Sequence, residues 1–188
     1  MKVRKFLFAG ALIAASLFSV NSVMAQATAS DNVTVNLKFK PVMSITVDGS
    51  DVTLSYDEVA DYANGLTTEA IPNHIKIYST GGFEVKVKAE GNFTRTAGGE
   101  IPVGEVLIVA TGGTGASDNS EYAEKKSLNT TEGGETLVTK ATGGVDINYN
   151  VEYDNTAAAK DNKYIDKYIA GDTGSVYSTT VTYFIAAK

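Results

Sequence analysis

Apolar and polar residues alternate along most of this chain. Runs of period two occupy residues 33–39, 43–47, 52–56, 75–78, 83–89, 103–110, 136–140, 145–153 and 176–185. Alternation at that period places every second side chain on one face of an extended backbone, so each run predicts a half-buried β-strand. Turn-forming pairs separate the runs: Asp48-Gly49, Asn64-Gly65, Gly81-Gly82, Gly98-Gly99, Gly112-Gly113, Gly133-Gly134 and Gly143-Gly144. Many short strands joined by glycine turns predict an all-β fold, a sandwich or a barrel.

Three stretches are less regular. Residues 111–134 are rich in Gly, Ser, Asn, Asp and Glu, and predict a long solvated excursion with one irregular strand near residues 122–128. Residues 154–174 fit either a helical turn or a short strand, and residues 57–62 fit a turn of helix that Gly65 stops. The triplet Thr-Gly-Gly recurs at Thr80, Thr111 and Thr142. Its first and third copies open similar strands, TGGFEVKVKAE and TGGVDINYNVE, which predicts two hairpin-like turns feeding related strands.

The N-terminus changes the picture. Lys2, Arg4 and Lys5 precede an apolar run from Phe6 to Val20, and Val23-Met24-Ala25 forms an acceptable cleavage site, the three-part plan of a secretory signal peptide over residues 1–25. The apolar run is shorter than the roughly 20 residues of a spanning helix. Removing 25 of the 188 residues leaves 163, enough for one domain with a sizeable core. It also removes three basic residues and no acids, shifting the formal charge from −6 to about −9. An acidic surface argues against nucleic acid as a partner. The chain has no cysteine, so core packing and sheet hydrogen bonds must hold it together. These features point to a bacterial exported protein.

Candidate chemistry is sparse. His74 is the sole histidine, beside a proline-led turn, and reads as a residue at the start of a strand. Neither a Gly-x-Ser-x-Gly elbow nor a phosphate-binding glycine loop occurs. Asp48-Gly49-Ser50-Asp51 lacks the spacing of a calcium loop and reads as a turn, with bound calcium left open. The expectation is a non-enzymatic protein with no catalytic residues, cofactor or assigned metal site. An extracellular hydrolase stays a minor option, because acidic residues alone do not exclude it.

The two ends carry a resemblance. Asn32-Val33-Thr34-Val35 leads an alternating strand to Pro41, followed by a short strand at residues 43–47 and by VTLSY. At the other end, Ala170-Gly171-Asp172 and Gly174 precede VYSTTVTYFIAAK. This arrangement resembles chaperone-usher pilins, most closely subunits of the colonisation-factor fimbriae. The resemblance implies an Ig-like antiparallel β-sandwich over residues 41–188, lacking one strand, and an N-terminal extension, residues 26–40, that supplies this strand to a neighbour. It implies Val33, Val35, Leu37 and Phe39 as the donor side chains, and Tyr177, Thr179, Val181, Tyr183 and Ile185 along the edge of the acceptor groove. Its implied partners are identical subunits, a periplasmic chaperone and an outer-membrane usher, with passage through the periplasm to the cell surface. Two further readings remain: a self-contained secreted Ig-like module binding carbohydrate or protein, in which the first strand pairs at home, and a small outer-membrane β-barrel.

Overall fold

The computed structural model describes residues 30–49, 51–116, 119–170 and 175–188. The chain divides into two units, Met1–Lys38 and Phe39–Lys188. The expected signal peptide, residues 26–29 of the expected extension, and Gly171, Asp172 and Gly174 lie outside the described residues. Within the first unit, residues 30–38 form neither helix nor strand, and the one hydrogen bond they make among the described residues is local, from the Asn32 amide to Asp31 Oδ1 at 2.8 Å. The strand expected over residues 33–39 is therefore not formed. Alternation prepares a strand, but ladder hydrogen bonds to another strand are what hold one.

The second unit is an antiparallel all-β sandwich. In chain order its elements are β1 (Met43–Val47), α1 (Val59–Asn64), β2 (Ile71–Ser79), β3 (Phe83–Ala89), β4 (Phe93–Thr94), β5 (Glu100–Ile101), a single 3-10 turn (Val103–Glu105) and β6 (Leu107–Gly112). There follow β7 (Ser120–Tyr122), β8 (Lys126–Ser127), β9 (Glu135–Lys140), β10 (Gly144–Asp154), α2 (Thr156–Ala159) and β11 (Val181–Ala187). One sheet has the order β1-β2-β10-β6-β8 and the other β11-β3-β9-β7, while β4 and β5 form a small hairpin. In β3, Phe83, Val85, Val87 and Ala89 are buried and the residues between them are half-buried, as period two requires. These side chains meet Ile75, Ile77, Ile108, Leu137, Val138, Tyr149 and Val151 in one core fed by both sheets. Full burial of each large apolar side chain contributes about 1.5–3 kcal/mol.

The two Thr-Gly-Gly turns are not hairpins. Residues 80–82 carry the chain from β2 in one sheet to β3 in the other, and residues 141–143 carry it back from β9 to β10. The two corners lie side by side, with Gly144 paired to Ser79 and Phe83 to Lys140. A Cβ on Gly143 would sit 2.2 Å from the Ser79 carbonyl oxygen, and one on Gly82 would sit 2.7 Å from that of Ala141. The glycines thus let two backbones cross between sheets in contact, a role that strand periodicity does not encode.

Other expectations shift for similar reasons. Residues 52–56 form no strand, and residues 103–110 begin as the 3-10 turn before entering β6. The single irregular strand expected near residues 122–128 is two short ones, β7 and β8, in different sheets. Among the described residues of 154–174, the open choice resolves as a helical turn at α2. The turn of helix expected from residue 57 is α1, whose entry is fixed by Asp61 Oδ2 accepting from the amides of Asp57 and Glu58 at 2.9 and 2.8 Å. It ends at Gly65, as expected: φ is 72°, and a Cβ there would lie 2.7 Å from the Thr156 Cα.

Candidate subunit interface

The last strand, β11, is an edge. It pairs with β3 from Val181 opposite Ala89 to Ala187 opposite Phe83, and no backbone hydrogen bond joins its other side to any described residue. Residues directly opposite in an antiparallel pair share a face. Val181, Tyr183, Ile185 and Ala187 therefore face inward with the buried side of β3. Yet Val181 and Ile185 are only half-buried, whereas their partners Ala89 and Val85 are 2% and 0% exposed.

The first strand shows the same imbalance on the same flank. Met43, Ile45 and Val47 lie opposite Ser79, Ile77 and Ile75 of β2, all buried, but Met43 and Ile45 are half-buried and Val47 is 43% exposed. The strands β1 and β11 approach within 8 Å, Cα to Cα, without pairing. Paired strands lie about 4.8 Å apart. An apolar seam with unused ladder groups on β11 thus runs along this flank.

Under the seam lies His74. It is not a strand-start residue: it sits within β2, just after Asn73 at φ 52°, where the ladder with β10 is irregular between Tyr149 and Val151. That irregularity turns both His74 and Ile75 into the interior. The His74 ring meets Tyr183 edge to face, with centroids 5.6 Å apart and planes at 78°. Its Nδ1 has no hydrogen-bond partner, and burial pulls its pKa below the usual histidine value despite the opposing pull of Asp48. The Tyr183 hydroxyl is hydrogen-bonded to that of Tyr153 in the buried interior, and burial raises the pKa of both.

The two ends of the seam differ. At one end the chain enters β1 and leaves β11 on the same corner: the Thr80 amide donates to the Val42 carbonyl at 3.0 Å, the Val42 amide donates to Thr80 Oγ1 at 2.9 Å, and the Lys188 amide donates to the Gly82 carbonyl at 3.1 Å. At the other end β1 leaves through Asp48, whose amide donates to the His74 carbonyl at 2.8 Å. There too β11 is entered beside Glu90, whose amide donates to the Thr180 carbonyl at 2.9 Å.

Of the residues expected along the acceptor edge, Val181, Tyr183 and Ile185 lie on β11 facing inward. Tyr177 and Thr179 precede the strand and do not extend its face: Tyr177 stacks with the Arg95 guanidinium, 5.5 Å from the ring centroid, and Thr179 Oγ1 donates to the Gly91 carbonyl at 2.8 Å. The terminal strand starts later than its alternation because Ser178 pairs with Thr94 instead, in an isolated bridge. The expected donor residues Val33, Val35, Leu37 and Phe39 are 86, 78, 80 and 86% exposed. Met43, Ile45 and His74 complete the seam and were not expected in it. Their alternation reads as ordinary core, and only the neighbouring edge of the opposite sheet distinguishes them. Among the described residues no three His, Asp or Glu side chains converge as metal ligands. No protein-family model matches the chain, nor does any curated protein sequence.

Proposed function

We propose that this chain is a non-enzymatic structural subunit of a bacterial surface fibre, exported through its signal peptide and polymerising by strand addition. The segment Val33–Phe39 of one copy fills the seam between β1 and β11 of the next. The observation that carries this reading is the paired imbalance on one flank: inward-facing apolar residues of both edge strands are half-exposed over a closed core, beside unused ladder groups on β11. Seven residues with four apolar side chains on one face match the seven residues of β11. Main-chain hydrogen bonds then give pairing and the alternate side chains give register. To admit the strand, β1 must part from β11, and β1 is held to its sheet along one side only.

An open fibre requires one direction of addition. Because Val42 and Lys188 are anchored at the same end, a donor running antiparallel to β11 brings its own body to the opposite end of the acceptor, and the contact repeats head to tail without closing. A parallel donor would bring two corner ends together and favour a closed, reciprocal pair. In the antiparallel arrangement Val33 faces Ala187, Val35 faces Ile185, Leu37 faces Tyr183 and Phe39 faces Val181. Electron microscopy of cells with and without this chain tests the reading: loss of a surface fibre on deletion is expected, and an unchanged surface overturns it.

A further inference from the structure

We propose that His74 makes strand addition pH-sensitive: a neutral imidazole at the base of the seam admits the donor, and its protonation on acidification expels it. The inference rests on the strand-addition reading and adds a regulation to the same seam.

His74 is 4% exposed and is packed against both sides of the seam. From the β1 side Gly49 lies over the ring, so close that a Cβ there would stand 3.0 Å from Cε1 and 3.2 Å from Nδ1. From the β11 side the Tyr183 ring meets it edge to face. Nδ1 has no hydrogen-bond partner among the described residues, and a glycine brings no side chain to supply one. The remaining groups around it offer a positive charge little compensation. Asp48 is exposed on the turn, and Tyr183, with Tyr153 of β10 hydrogen-bonded behind it, is a phenol that burial keeps neutral. Lys76 of the same strand is exposed and paired with Asp146 at 3.1 Å, while Glu84, Lys86 and Lys88 alternate with the buried face of β3 and so point away from the core. Burial accordingly holds the His74 pKa below the usual histidine value, against the opposing pull of Asp48.

The donor changes this environment. Val181 and Ile185, on either side of Tyr183 along β11, are half-exposed in the open seam, so water still reaches the surface beside the ring. A donor strand of either direction sets an apolar side chain, Leu37 or Val35, opposite Tyr183 and removes that water. Its loss penalises imidazolium more than imidazole, which makes His74 less basic in the filled seam than in the open one. As pH falls, the open seam therefore takes up the proton first. Affinity declines through the open-seam pKa, which lies below 6.5, and levels off below the filled-seam value. The chain has one histidine and no cysteine, so no other side chain of ordinary pKa titrates between about pH 5.5 and 7.5.

The test titrates a peptide of residues 31–40, blocked at both ends, onto the full chain by fluorescence anisotropy at about pH 7.5 and 5, on either side of histidine titration. Wild-type affinity is expected to fall about tenfold on acidification, the factor that a one-unit difference in pKa between open and filled seams supplies. Chains with His74→Phe or His74→Gln are expected to bind equally at both pH values. The His74 Cε1 proton, single of its kind in this chain, gives a readout that needs no variant to fold: its NMR titration midpoint is expected to move to lower pH when peptide is saturating. Wild-type affinity unchanged by pH, an equal fall in both variants, or a midpoint that peptide leaves in place or raises overturns the switch and leaves strand addition standing. Peptide that does not bind even at the higher pH overturns strand addition itself, and the switch with it.

Discussion

Leu37 separates a strand that docks in a neighbour from one that docks at home. It is 80% exposed, so Leu37→Ala removes little burial from the isolated subunit and should change its unfolding free energy by less than about 0.5 kcal/mol. In a filled seam the same side chain lies against Tyr183, which is 9% exposed beside the buried His74. Truncation there loses the transfer free energy of a buried leucine, about 2–3 kcal/mol, or about a 30- to 150-fold loss of subunit affinity. Ile77→Ala is the control: Ile77 is 1% exposed in the core, and its truncation should cost about 2–5 kcal/mol in the subunit itself. Urea unfolding of the monomeric chain gives the first quantity, and the concentration at which fibres dissociate gives the second. If Leu37→Ala lowers monomer stability by about 2 kcal/mol, the strand pairs at home, and the reasoning from the exposed seam fails. If it changes neither quantity, Leu37 takes no part in assembly.

Gly143→Ala forces a Cβ to within 2.2 Å of the Ser79 carbonyl and should destabilise by about 1–3 kcal/mol or more, while Gly81→Ala, where a Cβ meets nothing within 4 Å, should leave the thermal midpoint nearly unchanged. Tyr183→Phe strands the buried Tyr153 hydroxyl and should cost about 1–3 kcal/mol in chemical unfolding; replacing both tyrosines with phenylalanine should recover most of that loss, because no buried donor is then left unpaired. His74 has a folded-state pKa lowered from 6.5, chiefly by burial, so the unfolded chain takes up its proton first as pH falls. Its contribution is complete above about pH 6.5, declines on acidification towards the lower folded value, and is constant below that. Denaturation curves between pH 7.5 and 5, about the span of histidine titration, should show the decline, and His74→Phe should flatten it.

Alternation along the chain was sufficient to place β1, β3, β9 and β10 and to say which side chains of β3 face inward, because period two is a local property of extended backbone. The helical stop at Gly65 was equally local. The donor and acceptor candidates rested on the resemblance and on the same alternation, which shows that Val33, Val35, Leu37 and Phe39 share a face without naming what that face meets. Residues 33–39 alternate as cleanly as Phe83–Ala89, yet only the latter form a strand, since β3 has β11 and β9 to complete its hydrogen bonds.

Tertiary structure alone decided the rest. It made two Thr-Gly-Gly turns into corners between sheets, because the close approach of Gly143 to Ser79 involves residues distant in sequence. It also withdrew Tyr177 and Thr179 from the terminal strand, where the bridge from Ser178 to Thr94 competes. The seam has the same origin. Met43, Ile45, Val181 and Ile185 are core residues by pattern, and are half-exposed only because the two strands that carry them are the edges of different sheets on one flank. Periodicity fixes the face a side chain takes on its own strand. Which backbone lies beside that strand is a matter of long-range pairing, and the fold settled it.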